Sequence, residues 1–266
     1  MRTKGTTIMN TPEYANKYKH IKFDRQDGIL QMTLHSDGGV LRWGGGPHEE
    51  LCHAFRDVGG DRENKVIILT GTGDAFIEAV DTGNIGNRLP ATSMTPRTWD
   101  KIYWNAKHLL MDLLDIEVPM IAAVNGAALI HAELAVLCDI VIAADHAVFQ
   151  DAPHFPSGLV PGDGVHVVWP LILGANRGRY FLLTGQKLSA QEALDLGVVS
   201  EVMPLDKLQA RAWTLARQLV ERPPLTLRYA RVLLTQQIKR LMLDQLGPGL
   251  ALQGLAANDY WPPAQK

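Results

Sequence analysis

The sequence has few cysteines, and they form no recognisable site. Only Cys52 and Cys138 occur in 266 residues, and neither belongs to a C-x-x-C pair or stands beside a histidine at metal-ligand spacing. The pattern therefore argues against a disulfide framework and a cysteine-based metal centre. Both residues lie among apolar neighbours, so we expect buried, reduced thiols and a reducing compartment.

An excess of one charge and a long uninterrupted apolar run are also missing. The formal net charge is −2, so nothing in the composition favours nucleic acid or a membrane surface as a partner. The N-terminal residues lack the apolar core of a signal peptide. The most apolar stretch, 120–149, is interrupted by polar and charged residues, which is not typical of a membrane span. We expect a cytoplasmic protein.

What is present indicates an α/β protein. Hydrophobic residues make up 46 % of the chain, enough for a sizeable core. The first 150 residues are rich in strand patterns and the rest is helical, without an evident linker. Strands are predicted at 21–25 and 29–35, around the Asp27-Gly28 turn signal, and at 65–70, 119–124, 140–144 and 147–149. Helices are predicted at 47–58, 98–114, 163–173, 177–183, 190–194, 205–221, 225–243 and 249–257.

Five segments together carry a family resemblance. They are KVIILTGTGDAF at 65–76, EVPMIAAVNGAAL at 117–129, CDIVIAAD at 138–145, GLVPGDG at 158–164 and LLTGQKLSAQEALDLGVVSEV at 182–202. The chain resembles the crotonase (enoyl-CoA hydratase/isomerase) superfamily over about 21–245. The resemblance implies a spiral of strand-strand-helix units with a C-terminal helical trimerisation region. We expect an arm at 1–18, a crotonase core at 19–203, a helical region at 204–266, and a homotrimer or dimer of trimers.

The departures from that family concern its catalytic positions. In acyl-CoA members a glycine run follows Asn-Gly and helps to hold the thioester oxyanion; here Ile130-His131 replaces it. The second catalytic carboxylate of hydratases falls at His154, and the small residue after Pro-Gly is Asp163. Glu133 is the carboxylate that stays. It could be a retained acid/base group or could form a buried hydrogen bond.

These replacements are similar to the β-diketone hydrolases of the superfamily, the 6-oxocamphor hydrolase group. The resemblance implies that Trp43 and His131 hold a diketone carbonyl, while His154 paired with Asp163 serves the attacking water. It also implies an acidic residue on a C-terminal helix, where this chain has Gln253. Glutamine cannot act as a base. We therefore place Gln253, with Trp43 and Glu133, among the substrate-binding residues.

The chemistry of His154 and Asp163 fits that assignment. An imidazole has an unperturbed pKa of about 6.5, so a neutral fraction would be available as a base. Asp163 is nine residues away, but the intervening prolines and glycines can fold the segment back. The alternatives are that Asp163 only caps a helix and that His154 is an exposed loop residue.

His131 is predicted at the start of a short helix, where the helix dipole would keep its imidazole neutral and able to donate a hydrogen bond. A packed structural histidine is the alternative, as core packing is for Trp43. Trp99, Tyr103 and Trp104 could line a pocket, although core packing fits them equally. No H-x-x-x-H or H-E-x-x-H spacing is present, so we expect neither a metal nor another cofactor.

Two other functions stay open. The chain could be an acyl-CoA hydratase or isomerase in which Glu133 works alone, or a crotonase-fold scaffold without activity. The leading prediction, implied by the resemblance, is a hydrolase that cleaves a carbon–carbon bond of a cyclic 1,3-diketone to give a keto acid. Affinity for coenzyme A and turnover of cyclic 1,3-diketones would separate it from the two alternatives.

Overall fold

The first hairpin forms where Asp27-Gly28 predicts it. In the computed structural model, which describes residues 11–81 and 94–261, the flanking strands 21–26 and 29–34 pair antiparallel. Both turn residues have positive φ angles, 53° for Asp27 and 82° for Gly28, as a two-residue type I′ turn requires. The hairpin fixes one edge of the main sheet.

The described strands belong to three sheets. Their bounds are β1 (Ile21–Gln26), β2 (Ile29–Leu34), β3 (Arg42–Trp43), β4 (Val66–Thr70), β5 (Ala75–Ile77), β6 (Ala79–Val80), β7 (Met120–Val124), β8 (Ala127–Ala128), β9 (Ile140–Ala144), β10 (Val148–Phe149), β11 (Leu188–Ser189) and β12 (Glu201–Met203). The main sheet has the order β1-β2-β4-β7-β9-β12, the second β11-β10-β8-β5, and β3 pairs with β6. From β2 to β12 the main sheet is parallel.

Helices cover both faces of the main sheet, and the described chain after β12 is mostly helical. Their bounds are α1 (Gly45–Gly60), α2 (Pro96–Asp115), α3 (Glu133–Val136), α4 (Val165–Leu173), α5 (Ala175–Thr184), α6 (Ala190–Asp195), α7 (Leu205–Val220), α8 (Pro224–Leu234) and α9 (Gln236–Asp259). The α/β class predicted from the sequence is confirmed.

Burial on both faces explains the unbroken apolar strands. All five residues of β4 are buried. Ile68 on one face packs with Leu208 and Ala212 of α7, whereas Leu69 on the other face joins the core that contains α1 and α2. Parallel strands with helices on both faces have this composition. Burying the Leu208 side chain contributes roughly 1.5–3 kcal/mol.

Two glycines bring α9 against the rest of the molecule. A Cβ atom on Gly254 would lie 2.2 Å from Nε1 of Trp99, and one on Gly249 would lie 2.4 Å from the carbonyl oxygen of Gly162. Nε1 of Trp99 donates a hydrogen bond to the carbonyl oxygen of Leu250 at 3.0 Å. Trp99 is therefore a packing residue, and α9 lies directly against the segment that precedes α4.

The C-terminal helices differ from the prediction in their boundaries. The helix predicted over 225–243 is divided at Thr235, and the start predicted at 249 is wrong because α9 continues through Pro248. The hydroxyl of Thr235 donates to the carbonyl oxygen of Arg231 at 2.8 Å, a bond that competes with helix continuation. Proline inside a helix costs about 3 kcal/mol, and buried neighbours such as Leu250 offset that cost.

The arm predicted at 1–18 is described from residue 11 onward. Tyr14 is buried and donates a hydrogen bond to Asp61 at 3.1 Å, and Tyr18 donates one to Asp57 at 2.7 Å. This part is packed against the end of α1 and is not a loose arm. The rings of Tyr14 and Tyr18 supply the apolar surface for this packing. The mostly polar composition of the segment did not indicate it.

The two cysteines are packing residues, as predicted. Cys52 and Cys138 are buried and not bridged to each other. Burial raises the pKa of the Cys52 thiol to about 12, so the thiol stays protonated near neutral pH and is a weak nucleophile.

The surface of the last helices exposes large apolar side chains. They belong to α8 and α9 and include Leu225, Tyr229, Leu233, Leu243 and Leu255. The homotrimer or dimer of trimers expected from the sequence stays a prediction, and this face is where we expect its contacts. No helix in the described ranges is long and apolar enough to cross a membrane.

Candidate active site

His154 lies between two carboxylates in the segment 150–164, which connects β10 to α4. Its Nδ1 donates a hydrogen bond to Oδ1 of Asp151 at 2.6 Å, and its Nε2 lies 3.1 Å from Oδ2 of Asp163. All three side chains are buried, and 4 % of His154 is exposed. The structure therefore brings together His154 and Asp163. It adds Asp151, which sequence reasoning missed although it precedes the histidine by only three residues.

Glycines bend this segment back on itself. Gly158 and Gly164 have φ angles of 86° and 107°, in a region that glycine adopts without steric cost. Gly162 lies so close to α9 that a Cβ atom would be 2.1 Å from the carbonyl oxygen of Gly249. The close backbone contact with α9 holds the residues next to Asp163 in place.

Asp163 does not cap the helix that follows it. The N-cap of α4 is Gly164, and no side chain makes a capping hydrogen bond there. The interpretation of Asp163 as a helix cap is therefore wrong, because its carboxylate accepts from His154. Its second oxygen, Oδ1, is buried and has no hydrogen-bond partner among residues 11–81 and 94–261. That oxygen can accept a proton from a water molecule or a substrate.

The charge state of His154 differs from the prediction. Burial alone would lower its pKa, but the charges of Asp163 and Asp151 outweigh burial and raise the pKa well above the ordinary value. The shift reduces the neutral fraction of the imidazole that was expected to act as a base. Burial would raise the pKa of Asp163, yet the neighbouring His154 cation holds it below its usual range. The group at rest is an imidazolium between two carboxylates.

His131 forms a second imidazole–carboxylate pair. Its Nδ1 donates to Oε1 of Glu133 at 2.5 Å, and Glu133 is fully buried. Burial would lower the pKa of His131, but the Glu133 carboxylate more than compensates and raises it. This direction opposes the predicted neutral imidazole, because α3 has only four residues and begins at Glu133, and the adjacent carboxylate outweighs its dipole.

The backbone of His131 keeps a conformation that usually belongs to glycine. Its φ angle is 47°, in the left-handed region, which costs a non-glycine residue of order 1–3 kcal/mol. This is the turn in which acyl-CoA members of the resembling family carry a glycine run. The chain therefore places an imidazole on a left-handed backbone position in this turn.

Trp43 and His48 complete the group around His131. The Trp43 ring centroid lies 4.2 Å from that of His131 and 5.5 Å from that of His48, and the two imidazoles are 5.9 Å apart. Burial, aided by the charge of His131, lowers the pKa of His48 to about 3. His48 is thus neutral, and its buried Nε2 has no hydrogen-bond partner in the described part of the chain. Sequence reasoning missed it, although it follows Gly-Gly-Gly-Pro at the start of α1.

The two imidazole–carboxylate groups share one site. One nitrogen or oxygen atom from each of His131, Glu133 and Asp163 lies within 4.8 Å of the others. One imidazole and two carboxylates are also a ligand set that could hold a divalent metal. However, Glu133 is already bonded to His131, and Asp163 is bonded to His154. The arrangement is suited to proton transfer beside a bound carbonyl group.

Gln253 lies beside this site without a contact that defines its role. It is buried on α9, and a Cβ atom on Gly162 would lie 2.9 Å from its Cβ. Its Oε1 has no hydrogen-bond partner among the described residues. A substrate contact by Gln253 stays a prediction.

Comparison with known proteins establishes the family. The sequence profile of the enoyl-CoA hydratase/isomerase family matches residues 24–249. The chain therefore belongs to this family, as the sequence motifs predicted. Among curated relatives, the 2,3-dehydroadipyl-CoA hydratase of Escherichia coli is 28 % identical over 80 % of each chain. A crystal structure of an enoyl-CoA hydratase/isomerase from Mycobacterium paratuberculosis is 25 % identical, with a TM-score of 0.82 over 91 % of this chain and 94 % of that one.

A second solved structure is much more similar. It is a beta-diketone hydrolase from the cyanobacterium Anabaena, bound to (S)-3-oxocyclohexyl acetic acid. It is 51 % identical to this chain and has a TM-score of 0.90 over 94 % of this chain and 98 % of its own. The resemblance to β-diketone hydrolases found in the sequence is confirmed.

Proposed function

We propose that this crotonase-family enzyme hydrolyses a carbon–carbon bond of a cyclic β-diketone and releases a keto acid. The observation that carries the proposal is the contact between His154 and Asp163, 3.1 Å long, beside His131. The family resemblance places a hydratase carboxylate at the position of His154, so the exchange changes the chemistry of the site. The similarity to the Anabaena hydrolase supports the same substrate class.

The reaction needs a base, an oxyanion site and a proton donor. Water loses a proton and adds to one carbonyl carbon, and the bond from that carbon to the central carbon then breaks. The electron pair leaves as an enolate, which the other carbonyl stabilises, and a proton on the central carbon completes the keto acid. The steps are two proton transfers, the addition of water and the cleavage of one carbon–carbon bond, so the balance requires only water and substrate.

The described residues can fill these roles. The imidazolium of His131, with Trp43 beside it, polarises the carbonyl that is attacked and stabilises the oxyanion. Asp163 takes the proton of water on Oδ1, while His154 holds Oδ2. The Asp163–His154 pair later returns the proton to the enolate. In this account Asp163 is the base, and His154 keeps its proton in the resting enzyme.

An acyl-CoA hydratase is the second candidate, because the curated relative from Escherichia coli is a 2,3-dehydroadipyl-CoA hydratase. It would require the Glu133 carboxylate to act on the substrate. That carboxylate is bonded to His131 at 2.5 Å, which makes it a partner of the imidazole and a poor candidate for direct proton transfer.

A panel of cyclic 1,3-diketones tests the proposal. Purified protein should remove the ultraviolet absorbance of the enolate of at least one diketone, and His154→Ala should abolish this activity while keeping the circular dichroism spectrum. Crotonyl-CoA serves as the competing substrate. Hydration of the thioester with every diketone left intact would establish the second candidate, and inertness toward both would indicate a scaffold.

A further inference from the structure

We propose that Asp151 is a positioning residue that supplies the negative charge by which the Asp163–His154 pair becomes able to accept a proton from water. The inference rests on the proposed function, because it assigns a role within that reaction. It concerns a residue that acts through His154 and does not touch the substrate.

Asp151 is buried and is held in contact with His154. It is 3 % exposed, and its Oδ1 accepts from Nδ1 of His154 at 2.6 Å. The residues on either side are fixed to the chain near β8: the amide of Gln150 donates to the carbonyl of Ala128 at 3.1 Å, and that of Ala152 to Leu129 at 3.0 Å. The carboxylate therefore has little freedom to leave the imidazole.

Charge counting shows what this contact adds. The His154 imidazolium and the two carboxylates of Asp151 and Asp163 sum to −1, and uptake of one proton brings the buried group to zero. Without Asp151, the remaining pair is neutral and would become +1 on taking the same proton. A net positive charge is costly in a buried site, so the pair alone would be a weaker base.

Other titratable groups around Asp163 do not replace Asp151. His131 and Glu133 face it from the segment after β8, His48 from α1 and His166 from α4. His131 and Glu133 form a neutral pair when the imidazole is protonated, and His48 is uncharged. Among the described groups in contact with His154, only Asp151 gives the pair its surplus negative charge.

The proton then follows a balanced path. Oδ1 of Asp163 takes a proton from water as the water oxygen bonds to the carbonyl carbon, and the negative charge moves to the carbonyl oxygen. When the carbon–carbon bond breaks, the enolate carbon takes the proton back from Asp163. His154 stays bonded to both carboxylates throughout, so Asp151 acts on the base by its charge and by fixing the imidazole.

Asp151→Asn is the decisive variant, because the amide oxygen can still accept from Nδ1 while the charge is lost. On a diketone that the wild type cleaves, we expect kcat to fall about 100-fold with KM nearly unchanged. The alkaline limb of the kcat/KM profile, where His154 loses its proton, should move to lower pH by about one unit. Asp151→Glu should restore much of both. Asp145→Asn, which removes an exposed carboxylate six residues earlier, is the matched control and should leave the limb in place.

A readout that does not depend on activity separates this inference from the proposed function. In ¹⁵N-histidine-labelled protein, the His154 ring signals, assigned with His154→Gln, should titrate at lower pH in Asp151→Asn than in the wild type. Asp151→Ser, also uncharged, replaces the asparagine variant if that does not fold. An unmoved His154 titration overturns the inference, as does an unmoved limb in an active variant. If no diketone is cleaved, the proposed function fails and the titration still decides the role of Asp151.

Discussion

The two protonated imidazoles of the site differ in the carboxylates that they contact. His131 contacts one, Glu133, whereas His154 contacts both Asp151 and Asp163. With both imidazoles protonated and the three carboxylates ionised, the first group is neutral and the second carries −1. A neutral pair that presents a cation is suited to stabilise charge on an oxyanion, whereas surplus negative charge favours proton uptake. We expect the role of each histidine to follow from its carboxylate partners. The sequence around each histidine indicates only some of these partners.

The largest expected effect comes from removing the base. Asp163→Asn keeps the size of the side chain but cannot accept a proton at neutral pH, so kcat should fall about 10³-fold. Steady-state kinetics on a cleaved diketone measures the change, with circular dichroism as the test of folding. A loss of less than tenfold would show that Asp163 is not the base. The proposed difference in role between His131 and His154 would then be wrong.

The next effect concerns the oxyanion. His131→Gln retains a hydrogen-bond donor but loses the positive charge, and kcat should fall about 10²-fold with a small change in KM. Glu133→Gln is the companion variant, since it removes the carboxylate and should lower the pKa of His131. If His131→Gln raises KM and leaves kcat unchanged, the residue binds substrate without stabilising the transition state.

His48 is a third imidazole in the site. Unlike His131 and His154, it has no hydrogen bond to a carboxylate in the described part of the chain. Its pKa is about 3 in the folded protein and about 6.5 in the unfolded chain. The unfolded state therefore binds the proton first, and stability present above pH 6.5 is lost as the pH falls toward 3. Lowering the pH from 7 to 5 should therefore reduce the free energy of unfolding by about 2 kcal/mol through this residue.

Urea unfolding at both pH values measures that loss. The variant His48→Gln should lose less stability than the wild type over the same interval. Equal losses in the two proteins would show that His48 is protonated in the folded state.

The smallest effect should come from Gln253, which borders the negative group. Gln253→Leu removes the predicted polar contact with the substrate, which is typically worth about 1 kcal/mol, and kcat/KM should change about fivefold. Gln253→Glu is the paired variant and adds a charge near Asp163. A loss of 10³-fold in Gln253→Leu would instead place this residue in the catalytic machinery.

Local signals in the sequence predicted much of the fold. The Asp27-Gly28 turn, the apolar run of β4 and the helix predicted at 98–114 each depend on neighbouring residues, and the structure has them at or near the predicted places. The C-terminal helix boundaries depend instead on the hydrogen bond of the Thr235 hydroxyl and on buried neighbours such as Leu250. Periodicity does not contain such contacts.

The site was predicted less completely, for the same physical reason. The family motifs pointed to His154 and Asp163, and the Pro- and Gly-rich segment allowed them to meet. The charge of each imidazole depends on burial and on carboxylates brought close by folding, and these contacts shift both pKa values against the expected neutral forms. Asp151 and His48 were missed because a single acidic or histidine residue in a sequence carries no signal of its own.

The most direct test of the account is hydrolysis of a cyclic 1,3-diketone in H₂¹⁸O. If water adds to a carbonyl carbon and the carbon–carbon bond then breaks, mass spectrometry should find the keto acid with one ¹⁸O atom in its new carboxylate, and Asp163→Asn should form almost none. An intact diketone in wild-type reactions that hydrate crotonyl-CoA would contradict the account.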